Sequence, residues 1–329
     1  MKNITTKALL TTLALTTSSI AFAGGTLTVS NQTGVITIDS NSDWDNIVIP
    51  ANTTLQARIH ILSGRTNDVT IIGQNRDSSI IAPYGLYAES APNEKGKAGK
   101  MLSNIYSDCN CTVSISTLTS RNPRKFHILG DTDNSKMVVD NVNIFTRWKD
   151  GDPHNHHTTD GFGGGVDSSI RNSTISTFDD SIKVYNDLIT VEKVKVEHHE
   201  NGAPYQFGWG ASAFPFAKLI LKGENIVLDK FDETSSKKYK HGVFGWVWAD
   251  SSKTITRKVD FRGPFSHNVG SGADRSSLYT FGHRTNSAQS VGSNGKLDLF
   301  GQNCKKLTSS NSEYRQNSNP TIWQNSTCS

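Results

Sequence analysis

Apolar residues in this chain fall in short runs rather than at helical intervals. Thr26 to Val29, Val35 to Ile38, Val69 to Ile72, Val113 to Ile115, Met137 to Val139, Val142 to Ile144, Ile182 to Val184, Val194 to Val196, Leu219 to Leu221 and Ile226 to Leu228 are rich in β-branched residues and bounded by Gly, Asn, Asp and Ser. Such runs read as strands separated by turns. No stretch sustains a helical period, so the pattern predicts a nearly all-β fold. One local pattern also recurs. Asp140-Asn-Val-Asn-Ile144 is echoed loosely by Arg171 to Ile175, Glu192 to Val196 and Gly223 to Val227, and the steps from Asn141 to Asn172, Lys193 and Glu224 are 31, 21 and 31 residues. Constant strands joined by loops of unequal length describe a solenoid whose coils stack about 4.8 Å apart through parallel ladders. The expected fold is therefore a right-handed parallel β-helix forming a single elongated domain, with a β-sandwich of accidental spacing as the competing arrangement. Residues 231–240 read as a charged loop inserted between coils.

The N-terminus changes the compartment. Lys2 and Lys7, an apolar and threonine-rich run from Ala8 to Ile20, and Ala21-Phe22-Ala23 have the layout of a secretory signal peptide. Residues 1–23 are thus expected to be removed near Ala23, leaving 24–329 as the β-helix domain with a polar tail from about residue 305, secreted to the periplasm or the medium. The formal charge of +4 falls to +2 without Lys2 and Lys7, too little to point to nucleic acid. No later window reaches the roughly 18 apolar residues of a membrane span, so no membrane insertion is expected. The protein is expected to act as a monomer. Four cysteines allow three pairings in an exported chain, and Cys304 with Cys328 is favoured as a tie for the tail.

Two acidic sites carry candidate chemistry: Asp160 in Thr158-Thr-Asp-Gly-Phe162, and Asp179-Asp180 in Phe178-Asp-Asp-Ser-Ile-Lys183. Their separation of 19 residues is close to one short coil, which would set the acids side by side. Clustered carboxylates raise at least one pKa, and a carboxyl that keeps its proton is what a general acid needs. Adjacent strand residues point to opposite faces, so both Asp179 and Asp180 can face one cleft only across a bend or bulge. The alternative, that Asp-Gly and Asp-Asp are merely turn residues, stays open on composition alone.

The stretch from His157 to Gly210 resembles the catalytic core of glycoside hydrolase family 49, the dextranases and isopullulanases, and more distantly the family 28 polygalacturonases. The likeness rests on Thr159-Asp-Gly161, on Asp179-Asp-Ser-Ile-Lys-Val-Tyr185 and on His199-Glu-Asn-Gly-Ala-Pro-Tyr-Gln-Phe-Gly-Trp209. It implies a β-helix and an inverting mechanism with no cofactor and no metal. It also implies Asp179 as general acid, and Asp160 and Asp180 as holders of the attacking water. Lys183, Tyr185, Gln206 and Trp209, with His199 beside them, would contact sugar. The Gly-His-Gly and Arg-x-Lys elements of polygalacturonases are not apparent after Asp180.

The resulting expectation is a secreted inverting hydrolase cleaving internal bonds of a polysaccharide, dextranase-like and acting on an α-glucan. Its rivals are a pectate-lyase-like enzyme using calcium and an arginine base, and a non-catalytic carbohydrate-binding β-helix such as an adhesin or tailspike. His154, His156 and His157 lack a further spaced ligand group and read as cleft rim rather than zinc ligands. Trp246 and Trp248 share one strand face, outward as a sugar platform or inward as core.

Overall fold

The computed structural model describes residues 24–86, 99–146, 159–199, 202–209, 216–229, 243–247, 255–269, 279–281 and 295–301. These residues form a right-handed parallel β-helix. Every strand pair among them is parallel, and consecutive coils repeat the same three strand positions. The first sheet has ten strands, from Gly25–Thr28 to Gly295–Gly301. The other two meet in the strand Thr53–Ile61. Its first residues pair with Ser79–Ile81 in the third sheet and its last with Ile105–Ser107 in the second. The expected β-helix holds, and the sandwich does not.

Strand propensity and stacking act together in the core. In the first sheet one inward row runs Ile47, Ile71, Ile115, Val139, Ile170, Val191, Leu221, Phe261, each residue in register with the next. All eight are at most 1% exposed. An apolar side chain on each coil, β-branched in the first six, covers its neighbour about 4.8 Å away, and burial of each is worth about 1.5–3 kcal/mol. Toward the C-terminal coils the filling turns aromatic. Tyr205 stacks on Phe244 at 5.3 Å between ring centroids, and Phe261 and Phe265 meet edge to face.

The sequence repeat marks a corner. In the third sheet Asn143 pairs with Thr174, Thr174 with Lys195 and Lys195 with Ile226, which are the predicted steps of 31, 21 and 31. Just before these strands Asn141, Asn172 and Lys193 have φ of 55°, 49° and 53°, with Thr117 at 57° one coil earlier. A single left-handed residue turns the chain from the first sheet into the third, and asparagine tolerates that conformation better than most. The corners also bond to one another. Asn141 N–H donates to Arg171 O, and Asn172 N–H to Glu192 O.

Cys109 is disulfide-bonded to Cys111, with 5.3 Å between Cα atoms. Cys304 and Cys328 lie outside the described residues, as do residues 1–23 and 231–240.

Truncating the inward row tests the stacking. Ile170→Ala should cost about 2–5 kcal/mol, because rigid coils on either side cannot collapse into the gap. Thermal and urea unfolding would measure it, and a loss below about 1 kcal/mol would show that the row is not close-packed.

Candidate active site

The three aspartates converge where the third sheet hands over to the second. Asp160 opens the strand Asp160–Gly163, whose Phe162 pairs with Ile182 on the next coil. Gly161 N–H accordingly donates to Asp180 O, so Asp160 and Asp180 occupy equivalent places on successive coils. Between the strands Thr174–Thr177 and Ile182–Lys183 the chain bends at Phe178 and Asp179. The bend meets the requirement that both neighbouring acids face one way. It is held from below: Thr177 Oγ1 donates to Asp179 O and exchanges a hydrogen bond with Ser181 Oγ, which also bonds His198 Nδ1. His198 is therefore interior, part of the packing beneath the acids.

One oxygen from each of Asp160, Asp179 and Asp180 lies within 4.8 Å of the other two. The residues are 4%, 8% and 1% exposed. Lys183 sets the charge balance. Its ammonium donates to Asp160 Oδ2 at 2.8 Å, to Asp180 Oδ2 at 3.1 Å and to Tyr185 OH at 3.1 Å. Tyr185 OH faces Asp180 Oδ2 at 3.4 Å. Lys183 and Tyr185, expected to touch sugar, are thus engaged with the carboxylates themselves. Such a triad of oxygens could hold a cation, but the ammonium already bonds two of the three acids.

Burial pushes the Asp160 carboxyl up to about 6, against the pull of Lys183. Asp179 is driven well above the ordinary carboxylate range by burial first, then by the charges of Asp160 and Asp180. Burial lowers the Lys183 ammonium, but Asp160, Tyr185 and Asp180 outweigh it and the pKa is raised.

Two neighbouring coils supply residues that the sequence did not single out. Gly202, at φ 69°, lies so close that a Cβ there would sit 2.3 Å from Asp180 Oδ1 and 2.5 Å from Asp179 Oδ1. Ala203 N–H donates to Asp180 Oδ1 at 3.2 Å. The Asn201-Gly202 dipeptide was the available signal, a turn signature with nothing to say what the turn approaches. From the coil on the other side, Lys125 O accepts from Asp160 N–H, and the Lys125 charge acts on both Asp160 and Asp179.

The remaining expected residues are dispersed. His199 stacks on Phe178 at 4.7 Å and bonds Ser176 Oγ through Nε2. Gln206 is fully buried beside Lys183, donating to Gly208 O, so it reaches no open surface. The side chains of Trp209 and Trp246 lie outside the described residues, with His154, His156, His157 and Trp248. Alongside the carboxylates a groove of about 620 Å³ runs over earlier coils, sharing Lys183 and Tyr185 as its wall.

The raised pKa of Asp179 has a consequence for stability. A carboxyl that binds its proton more tightly when folded adds stability fully present below the unfolded pKa, about 3.9, and lost as pH rises through the folded one. Asp179→Asn removes that loss. The melting temperature of the variant relative to wild type should therefore climb between pH 5 and pH 9, and a flat difference would mean Asp179 is not held protonated by the fold.

No protein-family model matches the chain, and no curated protein matches it in sequence. Among solved structures it is similar to Dex49A from Penicillium minioluteum, with a TM-score of 0.56 and 13% identity over 94% of this chain. The chain spans 62% of that protein's length. At this identity the likeness carries the fold alone, the parallel β-helix.

Proposed function

We propose that this protein hydrolyses glycosidic bonds of a neutral polysaccharide, with Asp179 as general acid and Asp160 and Asp180 positioning the attacking water. The observation that carries this reading is the convergence of three buried carboxyl groups, two of them bridged by one ammonium. Burial and the charges of Asp160 and Asp180 raise the pKa of Asp179 well above the ordinary carboxylate range, which suits it to protonate a departing oxygen. Lys183 favours the ionised form of Asp160 and donates to Asp180 as well. Asp160 Oδ1, buried and without a hydrogen-bond partner among the described residues, would accept from a water. Three oxygens within 4.8 Å of one another are close enough for a single water to bond all three. In the reaction that water attacks the anomeric carbon, passes a proton to the carboxylate pair, and the departing oxygen takes the proton of Asp179.

The family 49 resemblance of residues 157–210 and the fold shared with Dex49A, a dextranase, favour an α-glucan such as dextran. Export to the periplasm or medium, where polysaccharide is met, agrees with the N-terminal signal. Water held by two carboxylates favours inversion. One observation favours retention instead, because oxygens within 4.8 Å are nearer the roughly 5–5.5 Å carboxyl spacing of retaining enzymes than the 6.5–9.5 Å of inverting ones.

A panel of polysaccharides with reducing ends as readout tests the activity, dextran being the expected substrate. Asp179→Asn should lower turnover by about 10²–10⁴-fold while the polysaccharide still binds, and turnover within tenfold of wild type would remove Asp179 from the acid role. Proton NMR during the first minutes should see the β-anomer released from an α-linked substrate. The α-anomer first would establish a covalent intermediate and the retaining reading.

The pH profile and a chelator probe the same groups. Activity should rise with pH through about 6 as Asp160 ionises, then fall as Asp179 loses its proton. EDTA should leave activity intact, since Lys183 supplies the positive charge. Activity lost to EDTA and restored by calcium would instead support the lyase-like rival.

A further inference from the structure

We propose that the groove beside the carboxylates is a blind binding site for the end of a neutral polysaccharide chain, so that the protein releases one short oligosaccharide from a chain end. This rests on the hydrolase reading above and replaces the cleavage of internal bonds expected from sequence.

The floor of the groove is an outward row of the second sheet. Leu129, Gly163 and Lys183 stand in register on successive coils, and buried Tyr106 is next in the row. A Cβ on Gly163 would meet Lys183 Cβ at 3.3 Å and Leu129 Cδ1 at 3.4 Å. Its absence opens a notch between those side chains. From Lys183 to Leu129 is two coil steps, about 10 Å. The groove volume of about 620 Å³ lies within the range of about 300–1,000 Å³ for small-molecule sites, room for about two or three sugar units.

Beyond Leu129 the row closes. The short 3-10 turn Gly99–Leu102 is anchored by buried Leu102 and by Ser103 Oγ donating to Lys100 O. It sets Lys100 across the groove, 2.6 Å from Asp131 Oδ2 and 6.0 Å above the Tyr106 ring. Tyr106 donates to the same Asp131 oxygen at 3.2 Å and is 1% exposed. The Lys100–Asp131 pair is therefore an end wall, two coils from the reacting bond.

The side of the groove is built for a hydroxyl. Asn186 lines it at 8% exposure and donates through Nδ2 to Gly164 O at 2.8 Å, while its Oδ1 is buried with no partner among the described residues. A buried acceptor left unmade costs about 1–3 kcal/mol, which a ligand hydroxyl would recover. Charge along the groove is balanced. Lys100 offsets Asp131, Lys183 is engaged with Asp160 and Asp180, and Lys125 and Asp133 add one charge of each sign to the lining. An uncharged polyol suits this lining better than a uronic or sulfated sugar. A chain seated against the wall cannot extend past it, so each turnover adds one water across one glycosidic C–O bond and frees a piece of fixed short length.

Dextran and the polysaccharide panel, followed by viscosity, reducing ends and product chromatography, test this. Wild type should release a single short oligosaccharide from the first minutes with little loss of viscosity per bond cut. Opening the wall with Lys100→Ala and Asp131→Ala together should lengthen the products, and Asn186→Leu should raise KM about tenfold with kcat nearly unchanged. A broad product ladder with rapid viscosity loss in wild type would overturn the blind groove and leave the hydrolase reading standing. If nothing in the panel is hydrolysed, the hydrolase reading fails, and titration of isomaltotriose and maltotriose onto wild type decides the groove. Binding weakened by Asn186→Leu supports it, and no binding overturns it.

Discussion

A single ammonium makes the rest of this site possible. Three carboxyl groups with at most 8% exposure share a space in which their nearest oxygens lie within 4.8 Å. Each buried charge carries a desolvation penalty of several kcal/mol, and each pair of like charges adds on the order of 4 kcal/mol at 4 Å in a protein-like dielectric. Lys183 bonds both Asp160 and Asp180 and so opposes these costs, while the third acid, Asp179, answers the same field with a pKa raised well above the ordinary carboxylate range. The proposed division of labour between acid and water-holders follows from where one cation sits.

The scaffold supplies the spacing. In a parallel ladder a residue on one coil stands about 4.8 Å from its register partner on the next, whatever the length of the connecting loop. Asp160 and Asp180 inherit that separation from the pairing of Phe162 with Ile182. The same rule places the Gly163 notch beside Lys183 and carries Gly202 and Ala203 up against Asp180 from the following coil. Because the aliphatic rows inside are rigid and close-packed, these offsets do not drift. Variation is confined to the corners and loops, where groove walls such as Gly99–Leu102 are built.

Period, strand content and the acidic cluster were legible in the sequence because each is a local or near-local property. β-branched runs and Asn-marked corners spell out the coil, and the 31, 21 and 31 residue steps survive as register because a ladder leaves no freedom to slip when one face is buried. The adjacency of Asp160 to the Asp179-Asp180 pair followed from their spacing. What only the tertiary structure decided is which way each side chain points and what meets it. Lys183 and Tyr185 turn to the carboxylates, Gln206 is buried, His198 lies beneath the acids, and Gly202, Lys125 and Asn186 arrive from other coils or from the groove wall. Burial, pKa and the closed end of the groove depend on contacts across coils, and a spacing along the chain cannot specify those contacts because loops of any length can join the same two strands.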